Sequence, residues 1–167
     1  MIVIVMGVVG AGKTTIGSLL AHELGWRFAD ADDFHPAANV EKIRKGISLT
    51  DADRAPWLAA LHDAITKWIA AGDNVVLACS ALKRGYRNEL RGGPVTFVYL
   101  KGSRELILAR LRARHGHFAT ESILSTQMLD LEEPESAITV AIEPPPREIV
   151  SEIIRQLCEQ AKFGEGP

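Results

Sequence analysis

Residues 2–15, IVIVMGVVGAGKTT, constrain the fold of this chain more than any other stretch. Ile2 to Met6 are apolar without interruption, the pattern of a parallel strand covered on both faces. Glycines at 7, 10 and 12, followed by Lys13 and Thr14, then fit G-x-x-x-x-G-K-[ST]. Beyond them Ile16, Leu19, Leu20 and Leu24 recur at helical spacing, and Gly25 is a stop signal. A strand, a glycine-rich turn and an amphipathic helix in this order aim backbone N–H groups and a positive helix end at an anion. Lys13 would reach the β- and γ-phosphates of a nucleotide, and the Thr14 hydroxyl would ligate Mg²⁺. The candidate phosphate-binding residues are Gly7, Gly10, Ala11, Gly12, Lys13, Thr14 and Thr15.

The pattern continues down the chain as strands alternating with helices. Trp26–Ala29, Asn74–Cys79, Val95–Leu100 and Ala137–Ile142 read as strands. Helices are expected over Pro36–Lys45, from a cap at Thr50 or Asp51 to Gly72, from Ser103 through Arg114, from Thr120 toward Leu131, and after the Pro144–Pro146 run. Alternation of this kind predicts a three-layer α/β/α architecture with a parallel sheet and right-handed crossovers. Ligands in such sheets sit beyond the carboxyl ends of the strands. The polar clusters do fall there, at 7–14, 30–35, 80–83 and after Leu100.

At 167 residues, 47% hydrophobic and 24% charged, the chain suits one domain over 1–163 with a frayed tail at 164–167. A net charge of -2 provides no basic footprint for nucleic acid or a membrane surface. Cys79 and Cys158 lack metal-ligand spacing, which fits a reducing cytoplasm. The apolar start lacks a basic flank and a cleavage site, and Lys13 interrupts it before a span of roughly 20 residues could form. An Asp-x-x-Gly switch and an Asn/Thr-Lys-x-Asp base reader are both missing, and the later strand ends in Cys79-Ser80 rather than Asp. A small-molecule kinase is therefore favoured over a GTPase or an ATPase motor.

Asp30 and Asp32 follow the second strand two residues apart, which in an extended segment puts both carboxylates on one side. Asp30 is assigned to the Mg²⁺ shell. Asp32 is assigned to the attacking hydroxyl, as the group that orients it and takes its proton. Asp33 is read as a turn residue. His35, Arg54 and the short polar groups around them suit a polyhydroxylated anion. Lys83 and Arg87 stand four apart on an expected helix and share a face. The segment LARLRARHGHF suits a helical lid over about 112–130, with Arg114 placed to offset charge in a loose transition state. His115-Gly116-His117 lacks a Cys or a third ligand nearby for a metal.

Taken together, GVVGAGKTT, DADDFHPAANVEKIRKGISLTDADRAPWL, CSALKRGYRNELR, RARHGHF and LSTQMLDLEEP resemble the gluconate kinases of the shikimate-kinase-like group. The resemblance covers about residues 3–135, and a shikimate kinase would not be expected to carry D-x-D-x-x-H-P or T-D-x-D-R-x-P-W-L. It implies a P-loop kinase fold with a five-stranded parallel sheet and a lid, a homodimer, and ATP-dependent phosphorylation of D-gluconate at its 6-hydroxyl. It places Asp32, His35, Arg54, Lys83 and Arg87 around the gluconate, Arg54 or Arg87 being candidates for its carboxylate or for the transferring phosphoryl. It also puts Arg110 against adenine, with Pro145 on the other face. Lys13, Asp32 and Arg114 are the catalytic candidates. The chain departs from the family at Ala119-Thr120, where Met-Pro is usual, at Met128, where Phe is usual, and at Glu135-Ser136-Ala137, which lacks an acidic pair. Two alternatives remain at this point: a kinase of another polyol or sugar acid such as shikimate, and a nucleotide-binding sensor without turnover.

Overall fold

The computed structural model of the chain describes residues 1–115 and 119–163. Five strands, β1 (Ile2–Met6), β2 (Arg27–Asp30), β3 (Val75–Ala78), β4 (Val95–Lys101) and β5 (Ile138–Ala141), form one sheet in the order β2-β3-β1-β4-β5. Every pairing is parallel. Between and after them run α1 (Lys13–Leu24), α2 (Ala37–Arg44), α3 (Asp51–Ala70), α4 (Arg84–Leu90), α5 (Arg104–His115), α6 (Ala119–Asp130) and α7 (Pro146–Phe163). The expected strands match to within a residue or so at each end.

The central strand shows why the run at 2–6 has no polar member. Successive side chains of a strand point to opposite faces, and here each face has its own core. Val3 and Val5 pack with Leu20 of α1, Leu111 of α5, Leu124 of α6 and Ile153 of α7. Ile2, Ile4 and Met6 pack with Trp57, Leu61 and Ile65 of α3 and Leu90 of α4. All five residues of β1 are fully buried. The result is three layers, with β1 in the middle and its carboxyl end feeding the glycine-rich turn.

Two local features set the wall opposite that turn. Thr50 is the N-cap of α3 in a full capping box: its hydroxyl accepts from Asp53 N–H, and the Asp53 carboxylate accepts from Thr50 N–H. Asp53 also takes the Lys42 ammonium at 2.7 Å, which ties α2 to the start of α3. Lys42, followed by the Thr50 backbone and hydroxyl, holds the Asp53 carboxyl down at about 2.

Candidate active site

A cleft of about 540 Å³ opens at the carboxyl ends of β1, β2 and β3. Gly10, Gly12, Lys13, Thr14 and Thr15 line its floor, and Asp30, Asp32, His35, Arg54 and Trp57 line the facing wall. The loop between β1 and α1 depends on backbone conformations that side chains rarely adopt. Gly10 has φ +80°, and a Cβ there would sit 2.7 Å from Cγ of Leu111, so α5 rests directly on the loop. Gly12 has φ +99°, and a Cβ there would meet only Ile16 at an ordinary 3.9 Å, so only its backbone demands glycine.

The Lys13 ammonium donates to the Val8 carbonyl at 3.1 Å. Burial holds it below the usual lysine range, opposed chiefly by the Asp32 carboxylate. A cation that is poorly hydrated and close to a carboxylate gains most when phosphate oxygens arrive. The Thr14 hydroxyl donates to Asp30 Oδ2 at 3.0 Å. Two hard oxygen donors side by side suit Mg²⁺, which takes a few protein oxygens and fills its shell with phosphate and water. Among the described residues no three His, Cys, Asp or Glu side chains gather into a self-sufficient metal cage.

The two aspartates meet for a reason other than strand alternation. Asp30 is the last residue of β2, and Ala31–Phe34 coil into a short 3₁₀ turn. Asp30 caps that turn: its Oδ1 accepts from Asp32 N–H at 3.1 Å while Oδ2 takes Thr14. The extended spacing expected for residues 30–32 is therefore replaced by a capped turn, which still leaves both carboxylates at the cleft. Desolvation by the cleft walls and repulsion from Asp30 push the Asp32 carboxyl above its usual range, against the pull of Lys13 and His35. A raised carboxyl is a better proton acceptor at neutral pH than an ordinary one.

His35 lies flat on Trp57, with ring centroids 4.6 Å apart and an interplanar angle of 11°. Burial holds the imidazole below its usual range; Asp32 opposes this and Arg54 adds to it. The neutral ring presents both a donor and an acceptor, as hydroxyl recognition requires. Trp57 is fixed in turn by donating its Nε1–H to the Ala31 carbonyl at 2.7 Å. Asn39, 4% exposed, contacts His35 Nδ1 at 3.4 Å and donates to the Asp53 carbonyl at 2.7 Å. Neither Trp57 nor Asn39 stood out as a site residue in the sequence. Trp57 read as a core position of an amphipathic helix, and the TDADRAPWL block was the one signal available for it.

The basic residues separate into different roles. Arg54 lines the cleft and donates to the Tyr86 hydroxyl at 3.0 Å, with Asp51 at 3.6 Å and Asp130 at 3.9 Å. Lys83 precedes α4 and binds Asp51 at 2.9 Å beside the cleft, and Tyr86 donates to the same carboxylate. Arg87 does not face the cleft. It is 5% exposed, and its Nη1 donates to the carbonyls of Ala81 and Leu82 at 3.0 and 2.8 Å. The turn that carries those carbonyls includes Ala81 at φ +44°, a conformation uncommon outside glycine. Lys83 and Arg87 thus fail to form a joint anion-binding face. Cys79 is buried beneath the loop, and burial pushes its thiol up to about 12, so it stays a neutral packing group.

On the far side of α5, Arg110 donates to the Ile142 carbonyl at 2.6 Å, three residues before the exposed Pro145. Arg114 belongs to the last turn of α5, but its side chain lies outside what the structure describes, as do the side chains of His115, Ala119 and Thr120 and the whole 116–118 segment.

A phosphate loop on the central strand of a parallel sheet, faced by carboxylates from the next strand, defines a phosphotransferase of the P-loop class. The shikimate kinase family model matches residues 9–158. A gluconokinase from Gluconobacter oxydans is 48% identical over 157 residues, covering 91% of this chain and 88% of that protein. A crystal structure of a gluconokinase from Sinorhizobium meliloti superposes with a TM-score of 0.86 at 40% identity, covering 98% of this chain and 97% of that one. A shikimate kinase from Aquifex aeolicus, at 23% identity and a TM-score of 0.65, shares the fold. The chain belongs to the gluconokinase family, within the shikimate kinase group.

Proposed function

We propose that the protein transfers the γ-phosphoryl group of ATP to the 6-hydroxyl of D-gluconate, giving 6-phospho-D-gluconate and ADP. The observation that carries this reading is the convergence of Lys13 and Asp32 on one cleft from the ends of neighbouring elements, in a chain 48% identical to a gluconokinase. Asp32 orients the hydroxyl and takes its proton. The freed oxygen attacks the γ-phosphorus, and the bond to the β–γ bridging oxygen breaks as ADP leaves. Lys13 and the loop N–H groups meet the charge on the phosphates. Thr14 and Asp30 fit Mg²⁺, which when bound neutralises phosphate charge.

On the acceptor side, His35 and Trp57 offer a flat apolar surface with a polar edge, which suits a sugar-acid chain. Arg54 is the carboxylate partner favoured by position, since it lines the cleft, which neither Lys83 nor the backbone-bound Arg87 does. Arg110 and Pro145 would hold adenine, and Arg114 would act from a lid over about 112–130, whose later part is anchored through the buried Leu124. The reading includes one kinase domain over 1–163, a homodimer and a cytoplasmic setting. Among the described residues no helix is long and apolar enough to cross a membrane. ADP release measured with gluconate, shikimate and nucleoside monophosphates tests the substrate. Turnover with gluconate above the others is expected, and its absence would remove the assignment.

A further inference from the structure

Helix α6 carries a residue that reaches into the phosphate loop from 118 positions away in the chain. Gln127 Oε1 accepts a hydrogen bond from Val9 N–H at 2.6 Å. The carbonyl of that same peptide unit, on Val8, accepts from the Lys13 ammonium at 3.1 Å. One peptide plane is therefore held from both sides, by a glutamine on its N–H and by the key lysine together with Ala11 N–H, at 3.2 Å, on its C=O. The N–H and C=O of a trans peptide point in opposite directions within one plane. Fixing the N–H on Gln127 thus fixes where the carbonyl points, and with it the resting place of Lys13. Polarisation along the chain of bonds strengthens both contacts.

The helix that presents Gln127 is itself firmly placed. Leu124 is fully buried in the core that includes Val8, Ala11 and Leu111. Ile123, Thr126 and Gln127, on one helical face, line the cleft. A glutamine on such a face would ordinarily end in solvent. Here its carbonyl oxygen is spent on a backbone donor of the loop, and among the described residues its amide nitrogen makes no hydrogen bond.

We infer that Gln127 is a positioning residue for phosphoryl transfer: through the Val8–Val9 peptide it sets the phosphate loop and Lys13 for the incoming nucleotide. This rests on the reading of Lys13 as the phosphate-gripping residue. Phosphate oxygens draw Lys13 off the Val8 carbonyl, and a peptide plane already fixed by Gln127 keeps the loop from reorganising when that happens. Removing the acceptor leaves the plane held through its carbonyl alone, by Ala11 N–H at 3.2 Å once Lys13 has moved to phosphate, so that each binding event must order its N–H side again.

The test is Gln127→Met, which keeps length and apolar bulk but has no comparable acceptor. We expect ADP affinity by calorimetry to weaken about tenfold and KM for ATP to rise similarly, while KM for gluconate and Tm stay close to wild type. Leu129→Ser, at the exposed neighbouring position on α6, should leave all four unchanged. Wild-type ADP affinity in Gln127→Met would overturn the inference. So would the same ADP shift in Leu129→Ser, or a loss spread equally over gluconate and ATP. If Gln127→Met does not fold, hydrogen exchange on the wild-type protein reads the bond directly: the Val9 amide should be protected without nucleotide, and fast exchange there would sink the idea. ADP binding is measured without gluconate, so a wrong acceptor assignment would show in the substrate panel and leave this comparison intact.

Discussion

The floor of the cleft holds its shape with its own backbone, whereas the facing wall holds its shape with side chains gathered from several elements. Residues 7–15 form one continuous segment in which glycine conformations and a helix start create the phosphate grip. The wall collects Asp32 from a 3₁₀ turn, His35 from the next loop, and Arg54 and Trp57 from α3, each braced by a different neighbour. A backbone-built site needs few residue types and serves any nucleotide phosphate. A side-chain-built wall can be retuned one contact at a time, which is how one scaffold serves different acceptors.

The largest expected effect lies on the floor. Lys13→Ala should lower gluconate-dependent ADP release on the order of a thousandfold, and an active variant would contradict the grip. The wall should respond more selectively. Arg54→Ala should raise KM for gluconate by roughly ten- to a hundredfold, the value of one charge-assisted contact, with KM for ATP little changed. Arg87→Ala should do the reverse of what an anion-binding arginine would do. It leaves the Ala81 carbonyl without its arginine and the Leu82 carbonyl with the Glu132 N–H alone, so urea unfolding should show a loss of about 2 kcal/mol, while KM for gluconate holds. If Arg87→Ala instead raised that KM at unchanged stability, the division between the two arginines would be wrong.

The same contrast explains what could be read in the sequence. The strand, loop and helix over 2–24 are encoded by neighbours within a few residues, so apolar run, glycines and periodicity sufficed. The parallel, helix-covered sheet followed from alternation plus the rule that crossovers are right-handed, whereas the strand order β2-β3-β1-β4-β5 came only with the structure. Arg87 could not be read, because its partners are backbone carbonyls of a turn whose left-handed Ala81 has no sequence signal. Asp30 and Asp32 were matched to the cleft through an extended geometry, yet a capped turn brings them there. Gln127 and Val9 are joined only by the tertiary packing of α6, for which no local pattern exists. Side chains that act through distant partners leave no periodic trace, whereas backbone motifs do.

The central claim is that Asp32 is the base acting on the acceptor. Its carboxyl lies above the ordinary value of 3.8 because of desolvation and the neighbouring Asp30. The base works ionised, so kcat should fall as pH drops through this raised value. The direct measurement is the pH profile of kcat for gluconate phosphorylation, in wild type and in Asp32→Asn, with ADP affinity measured alongside. The account predicts an acid limb centred above 3.8 in wild type. It predicts that Asp32→Asn loses that limb and on the order of a hundredfold or more in kcat, with ADP affinity intact. A variant that turns over near the wild-type rate, or keeps the same acid limb, would contradict it.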